Sequence, residues 1–120
     1  MSPRNSAGEA RMHLPSGEWA GFYVQFRRQY PQRQRMEFSD GIVRGEGSDA
    51  IGAFVLEGQY HEGPDGSHHV GWIKTYKQGH SVLYLGSIEG NRIVGDWELQ
   101  GGSGDRFEFA PESMIPEPRT

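Results

Sequence analysis

Cysteine is absent from the 120-residue chain. Its absence excludes disulfides, thiolate nucleophiles and zinc–thiolate sites. Apolar residues are also scarce, at 34 %, and no apolar run approaches the roughly 20 residues of a membrane-spanning helix. Twelve basic residues stand against 16 acidic ones, which gives a net charge of −4. Because general nucleic-acid binding needs a positive face, this balance argues against nucleic acid as a partner.

The first residues contain no apolar core of the kind that a secretory signal carries. We therefore expect a cytoplasmic protein with no membrane partner. Both ends of the chain lack periodicity and are broken by proline and glycine, as flexible tails are. The sequence predicts one β-barrel domain over residues 17–110, with flexible tails over 1–16 and 111–120.

Glycine is abundant, at 18 of 120 residues, and 12 % of the chain is aromatic. This combination is typical of short strands joined by tight turns. Apolar residues alternate with a period of two, and turn signals such as Asp40-Gly41 and residues 63–66 divide the pattern into eight strands. Connections of hairpin length predict an all-β fold, an eight-stranded antiparallel up-and-down (meander) barrel.

Several glycines share the face of the strands that carries Trp19. They either relieve crowding around large aromatic side chains or leave room inside the barrel. These glycines are Gly21, Gly45, Gly47, Gly58, Gly86 and Gly95.

Short motifs along the body resemble the avidin and streptavidin series of calycin barrels in order and spacing. The motifs are Gly17-Glu-Trp19, Leu56-Glu-Gly58-Gln-Tyr60, Gly71-Trp72, Lys77, His80-Ser81 and Trp97-Glu-Leu99. The resemblance covers most of residues 17–100 and implies an avidin-like barrel with a small ligand at its open end. The stretch from Gly45 to Phe54 also resembles small bacterial one-barrel proteins of unknown function.

The residues that bind biotin in that family are mostly not matched. Gly21 stands where the first strand of the family has asparagine, Gly47 replaces a tyrosine and Asp49 a serine. Tyr76 replaces a tryptophan, and Trp97 is the direct match on the seventh strand. The donors to the urea oxygen and most of the aromatic box are therefore missing, and we expect a ligand other than biotin.

Lys74 lies between Trp72 and Tyr76 on a strand face that parity places inside the barrel. A lysine among aromatic rings is costly unless it is paired or hydrated, and burial lowers its pKa. One interpretation makes it a base, a Schiff-base amine or an anchor for a ligand carboxylate or carbonyl. The other makes it structural, held by cation–π contacts or by a salt bridge to Asp49 or Glu46.

The leading hypothesis is a non-enzymatic barrel that binds a small hydrophobic or anionic ligand in its open end, without a cofactor. The predicted ligand-binding residues are Tyr23, Asp49, Tyr60, Trp72, Lys74, Tyr76, His80, Tyr84 and Trp97. No residue is assigned as catalytic or as a metal ligand. Two alternatives stay open: a cyclase- or isomerase-like enzyme using Lys74 or a tyrosine for acid–base chemistry, and an oligomeric interaction module with a filled barrel.

Two polar clusters are interpreted as solvated loops. His61, His68 and His69 flank one hairpin, where a metal site is the less favoured reading. Four arginines, at positions 27, 28, 33 and 35, surround the first connection and predict a basic loop.

The outward face carries apolar side chains, which favours a homodimer or a higher homo-oligomer. These side chains are Phe22, Val24, Phe26, Leu83, Leu85 and Val94. The inward set on the sixth strand is either His80, Val82 and Tyr84 or, one residue out of register, Ser81, Leu83 and Leu85.

Overall fold

The computed structural model describes residues 14–112, which form a closed barrel with its strands in chain order. The strands are β1 (Gly17–Gln25), β2 (Arg28–Ser39), β3 (Ile42–Ser48), β4 (Ala53–Glu62), β5 (His68–Tyr76), β6 (Ser81–Glu89), β7 (Arg92–Glu98) and β8 (Gly104–Pro111). All neighbouring pairs are antiparallel, and β1 closes the barrel against β8 from Trp19↔Pro111 to Tyr23↔Phe107. The predicted eight-stranded meander barrel is confirmed. In the described part of the chain, no helix is long and apolar enough to cross a membrane.

Burial alternates along the strands with the period of two that the sequence predicts. On β6, Val82 and Tyr84 are buried whereas Leu85 is 55 % exposed, so the first of the two registers is correct. Aromatic rings fill the centre of the barrel. Trp72 stacks on Tyr84 with ring centroids 5.2 Å apart, and Phe107 packs against both.

The inward glycines lie where neighbouring strands approach closely. A Cβ atom added at Gly58 would lie 1.8 Å from the carbonyl oxygen of Gly71, and one at Gly45 equally close to that of Arg35. No side chain fits at such a distance. At these two positions glycine relieves crowding between strands and does not open a cavity.

The basic loop predicted around the first connection is wrong. Only Phe26 and Arg27 form the turn, and β2 begins at Arg28 and runs for 12 residues. Gln32 and Gln34 face inward on this strand. Because its inward side chains there are polar, β2 lacks the apolar alternation that marks the other strands, and its sequence resembles a loop.

One end of the barrel is plugged by the residues that precede β1. Leu14 packs against the core, the indole N–H of Trp19 donates to the Pro15 carbonyl at 2.9 Å, and the N–H of Phe38 donates to Ser16 Oγ at 3.0 Å. These three residues of the predicted N-terminal tail therefore contact the barrel. The rest of that tail, residues 1–13, and residues 113–120 of the C-terminal tail lie outside the described residues.

The opposite end is the mouth of the barrel. It is formed by four connections: residues 26–27, 49–52, 77–80 and 99–103. The alternation of strand direction brings these segments to one end, although up to 77 positions separate them in sequence (103 against 26). The mouth is therefore assembled by closure of the barrel.

The outward apolar side chains differ in their exposure. Val24 is only 7 % exposed, and its carbonyl oxygen accepts the indole N–H of Trp97. Phe22 lies under the guanidinium of Arg106, 5.9 Å from its ring centroid. Phe26 and Leu85 are exposed to solvent.

Candidate functional site

Lys74 of β5 points into the barrel, and its side chain is 1 % exposed. Its Nζ donates to Asp49 Oδ2 and to Gln32 Oε1, each at 2.8 Å. Four aromatic rings surround Nζ, with centroids 4.7 to 5.2 Å away. They belong to Tyr23, Phe54, Tyr76 and Tyr84. Of the two salt bridges considered from sequence, the structure contains the one to Asp49.

Asp49 is held by the β3–β4 connection in which it lies. Its Oδ1 accepts the backbone N–H groups of Ile51 at 2.9 Å and Gly52 at 3.3 Å, which is the geometry of an Asx turn. Its Oδ2 accepts the ammonium of Lys74 and the hydroxyl of Tyr76, the latter at 2.5 Å. Because both oxygens are engaged, the carboxylate is fixed in position even though it lies outside any strand.

The charges of the two buried groups are coupled. Burial raises the pKa of Asp49, but the hydrogen bonds from Lys74 and Tyr76 and the charge of Lys74 outweigh it and hold this pKa below its usual value. Burial lowers the pKa of Lys74, and the carboxylate of Asp49 opposes that shift. The geometry is that of an ammonium–carboxylate pair with no net charge.

The tyrosines around the pair keep their protons at neutral pH. Burial, with smaller contributions from Asp49 and Tyr30, raises the pKa of Tyr23 to about 12. Burial and the charge of Asp49 also raise the pKa of Tyr76 and of Tyr84. These phenols can therefore donate hydrogen bonds, but none is poised to act as a base at neutral pH.

A row of polar side chains continues from Lys74 along β2. Gln32 Nε2 donates to Gln34 Oε1 at 2.6 Å, and Gln34 Nε2 donates to Met36 Sδ at 3.2 Å. The sequence reasoning missed both glutamines. The signal that could have found them is the period of two from Gln32 to Met36, with charged residues in between.

A cavity of about 60 Å³ lies at the mouth beside the ion pair. Its lining consists of Tyr23, Gln25, Ile51, Lys74, Tyr76, His80, Val82, Tyr84, Trp97 and Leu99. Pockets for whole small molecules measure roughly 300–1,000 Å³. This cavity can therefore take one end of a ligand, and the remainder would lie in the mouth.

Most of the predicted site residues meet at the mouth. Lys74 contacts Asp49 and the three tyrosines that surround its ammonium. His80 lies beside them, with its ring centroid 4.6 Å from that of Tyr76. Trp97 lines the cavity from β7. Strand parity identified Lys74 and the tyrosines from the sequence, whereas Asp49 and His80 lie in connections and Trp97 was the residue matched by the resemblance.

Two predicted site residues lie elsewhere. Tyr60 belongs to the plugged end, where its ring packs edge-on against Phe38 at 5.5 Å. Trp72 is buried deeper in the barrel, and its indole nitrogen has no hydrogen-bond partner. The structure does not bring either residue to the cavity.

The histidines of the β4–β5 hairpin form no metal site within residues 14–112, since no three potential ligands converge there. Ser67 Oγ donates to Asp65 and also bonds His69 Nε2 at 2.8 Å. The serine is thus engaged by the aspartate itself, whereas a catalytic triad needs the histidine between the two.

No protein-family model matches the chain, and no curated protein or solved structure is significantly similar to it. The chemistry available at the mouth is hydrogen-bond donation from the phenol of Tyr23 and from the ammonium of Lys74, whose charge is balanced by Asp49. Apolar walls surround both donors.

Proposed function

We propose that the protein is a non-enzymatic binding protein whose mouth takes the polar end of a small ligand. The observation that carries this proposal is the pair of donors, Lys74 and Tyr23, on the wall of the cavity. An ammonium has three N–H donors, of which Asp49 and Gln32 accept two. One donor of Lys74 is left, and the phenol of Tyr23 supplies another.

The chemistry of the cavity indicates the class of ligand. Two donors suit a carbonyl or carboxylate oxygen, which has two lone pairs. Val82, Trp97 and Leu99 contribute apolar walls. We therefore propose a small hydrophobic molecule that ends in a carbonyl or carboxylate group.

We also propose that the barrel is avidin-like, with its ligand at the corresponding open end. The order of the sequence motifs and the closed eight-stranded meander support this relationship. A ligand other than biotin is proposed, because the replacements at Gly21 and Gly47 remove groups on which the resemblance to the biotin site depends.

A filled interaction module is the second candidate, and the packed interior favours it. Apart from the cavity at the mouth, aromatic rings occupy the centre of the barrel. The enzyme alternative receives less support. Lys74 is engaged by two acceptors and the tyrosines are protonated, so the site presents no free base.

The proposed function is tested by native mass spectrometry followed by NMR titration. Protein purified from its own source, compared with a denatured control, should release a small molecule with a carbonyl or carboxylate group. Hexanoate and hexanamide should then shift the amide signals of Tyr23, Lys74 and Trp97, whereas hexane should not.

The Tyr23→Phe variant should weaken binding of either compound several-fold, the usual worth of one hydrogen bond. Tyr60→Phe removes the same hydroxyl at the plugged end and should leave binding unchanged. If the protein is instead an interaction module, no small molecule should copurify with it, and the amide signals of Tyr23, Lys74 and Trp97 should not shift.

A further inference from the structure

Phe26, at the tip of the β1–β2 turn, is the most exposed large apolar side chain among the described residues, at 82 %. Its φ is 52° and that of Arg27 is 66°. Turns with both central residues in this left-handed region prefer Asn-Gly, because a Cβ is strained there. The barrel therefore holds an aromatic ring in water on an unfavourable backbone, a combination that the fold itself does not require.

Positive charge is concentrated around the same turn. Arg27 and Arg28 directly follow Phe26, and Lys77 lies on another connection of the mouth. The single acid in the four mouth connections, Asp49, is buried against Lys74. The three connections at the plugged end carry Asp40 and Asp65 and no lysine or arginine. Arg28 is the first residue of β2, and Glu98, the last residue of β7, is the acid at the corresponding strand ends of the mouth. With Glu98 counted, Arg27, Arg28 and Lys77 still make the mouth the cationic end of a chain of net charge −4.

A second exposed apolar side chain stands beside Lys77. Ile51 is 43 % exposed, and its carbonyl oxygen accepts the side-chain amide of Gln78 at 3.4 Å. The backbone N–H of Lys77 donates to Ala53 at 3.0 Å. These contacts tie the β3–β4 and β5–β6 connections together. The β1–β2 turn stands at the same end of the barrel, so the exposed apolar and cationic side chains all lie at the mouth. We call Phe26, Arg27, Arg28, Ile51 and Lys77 the mouth rim.

We propose that the mouth rim docks on an anionic lipid surface, a partner that the sequence alone did not lead us to expect. Aromatic rings prefer the level of the lipid headgroups, where lysine and arginine find phosphate and other acidic groups. A protein partner would need a complementary face of about 800 Å². A protruding loop tip offers no such face, whereas a fluid headgroup layer can close around it. This inference does not depend on the ligand proposed for the cavity.

The test is co-sedimentation of the full chain with vesicles. At low salt, the protein should bind vesicles of phosphatidylcholine that contain phosphatidylserine, and it should not bind phosphatidylcholine alone. Added salt should weaken binding, because the rim charges are exposed and screened. Arg28→Gln should weaken it about fivefold, as expected for one cation near an anionic surface.

Phe26→Asn separates loss of binding from loss of folding. Asparagine accepts the left-handed backbone, so this variant should fold at least as well as the parent. It should bind vesicles about tenfold more weakly, the value expected for removing a partly buried aromatic ring. Leu85→Thr is the matched control, since it removes another exposed apolar side chain from the barrel wall, and its binding should not change.

Two results would overturn the proposal. One is the absence of binding to phosphatidylserine vesicles at low salt, which would make an acidic protein surface the better partner for the rim. The other is an equal loss of binding in Leu85→Thr and Phe26→Asn. Neither result bears on the cavity, because the NMR titration with hexanoate and hexanamide uses no lipid.

Discussion

Lys74 and Asp49 are both removed from water, and transfer of two charges into a barrel interior is costly. Gln32, Tyr76 and the backbone of the β3–β4 connection replace the lost hydration. A buried pair of this kind contributes little compared with apolar residues of equal volume, but removal of one partner leaves an uncompensated charge. The cluster therefore fixes the geometry of the mouth more than it adds to stability.

Lys74→Met should lower the free energy of unfolding by about 3–5 kcal/mol, because it leaves the Asp49 carboxylate buried without its partner. The double variant Lys74→Met, Asp49→Asn should recover part of that loss. Urea denaturation measures both. Arg44→Gln is the control, since it breaks an exposed pair with Glu57 and should cost about 0–1 kcal/mol. Equal losses in Lys74→Met and Arg44→Gln would contradict the assignment.

Acid should destabilise the protein through Asp49. Its pKa in the folded state lies below the 3.8 of an unpaired carboxyl group. Its stabilising contribution is complete above the unfolded-state pKa and is lost as pH falls through the lower folded-state pKa. The free energy of unfolding should therefore decline below about pH 4. In the Lys74→Met, Asp49→Asn variant the free energy of unfolding should fall less steeply with pH. An unchanged slope would show that Asp49 is not the source of the acid sensitivity.

At the scale of the element, the two tight turns next to β2 differ in how well they suit their backbones. The β2–β3 turn has Asp40 and Gly41 with φ of 53° and 82°, the residues that such a turn prefers. The β1–β2 turn has the same backbone with Phe26 and Arg27. One hairpin thus follows local preference and the other departs from it.

The double variant Phe26→Asn, Arg27→Gly should raise the free energy of unfolding by about 1–3 kcal/mol, because it relieves backbone strain. Gly41→Ala should lower it by about 1 kcal/mol for the opposite reason. Thermal and urea denaturation compare the two. If the turn is functional as proposed, the stabilised variant is also the one that loses vesicle binding. No gain in stability would show that the β1–β2 turn is not strained.

At the scale of the whole molecule, closure removes both sheet edges. The β1–β8 pairing spans Trp19 to Tyr23, and both strands leave the barrel at its plugged end. We expect backbone amides in this pairing to be protected from hydrogen exchange as well as those between β4 and β5. Rapid exchange confined to β1 and β8 would indicate that the barrel opens at this seam.

The homo-oligomer expected from the sequence stays a prediction. Among the outward apolar residues, Leu83 and Leu85 lie side by side with Ile73 on neighbouring strands, and Asp96 and Glu98 border them on β7. A symmetric contact through this face would bring like charges together. Any dimer should therefore strengthen with salt in sedimentation velocity and be lost in Leu85→Asp, which adds a further acid to the face. A monomer at all salt concentrations would contradict the expectation.

The sequence by itself determined the number of strands, their order and most of their inward faces. Alternation and turn chemistry are local properties. They left two registers of β6 open, and the burial of Val82 and Tyr84 in the folded barrel decides between them. The sequence failed on β2, where inward glutamines replaced the apolar signal. It also placed Tyr60 with Lys74, since parity selects a face of a strand but not the depth along the barrel axis.

The sequence offered Asp49 or Glu46 as the partner of Lys74; only the tertiary structure decided between them and added Gln32. Lys74 is 25 positions from Asp49 and 42 from Gln32 in sequence, and barrel closure with its particular stagger brings them within hydrogen-bond distance. The size of the cavity could likewise not be predicted from the sequence. Inward glycines remove volume and inward aromatics add it, so that the space left beside Lys74 is a small difference between large volumes that only the packed barrel fixes.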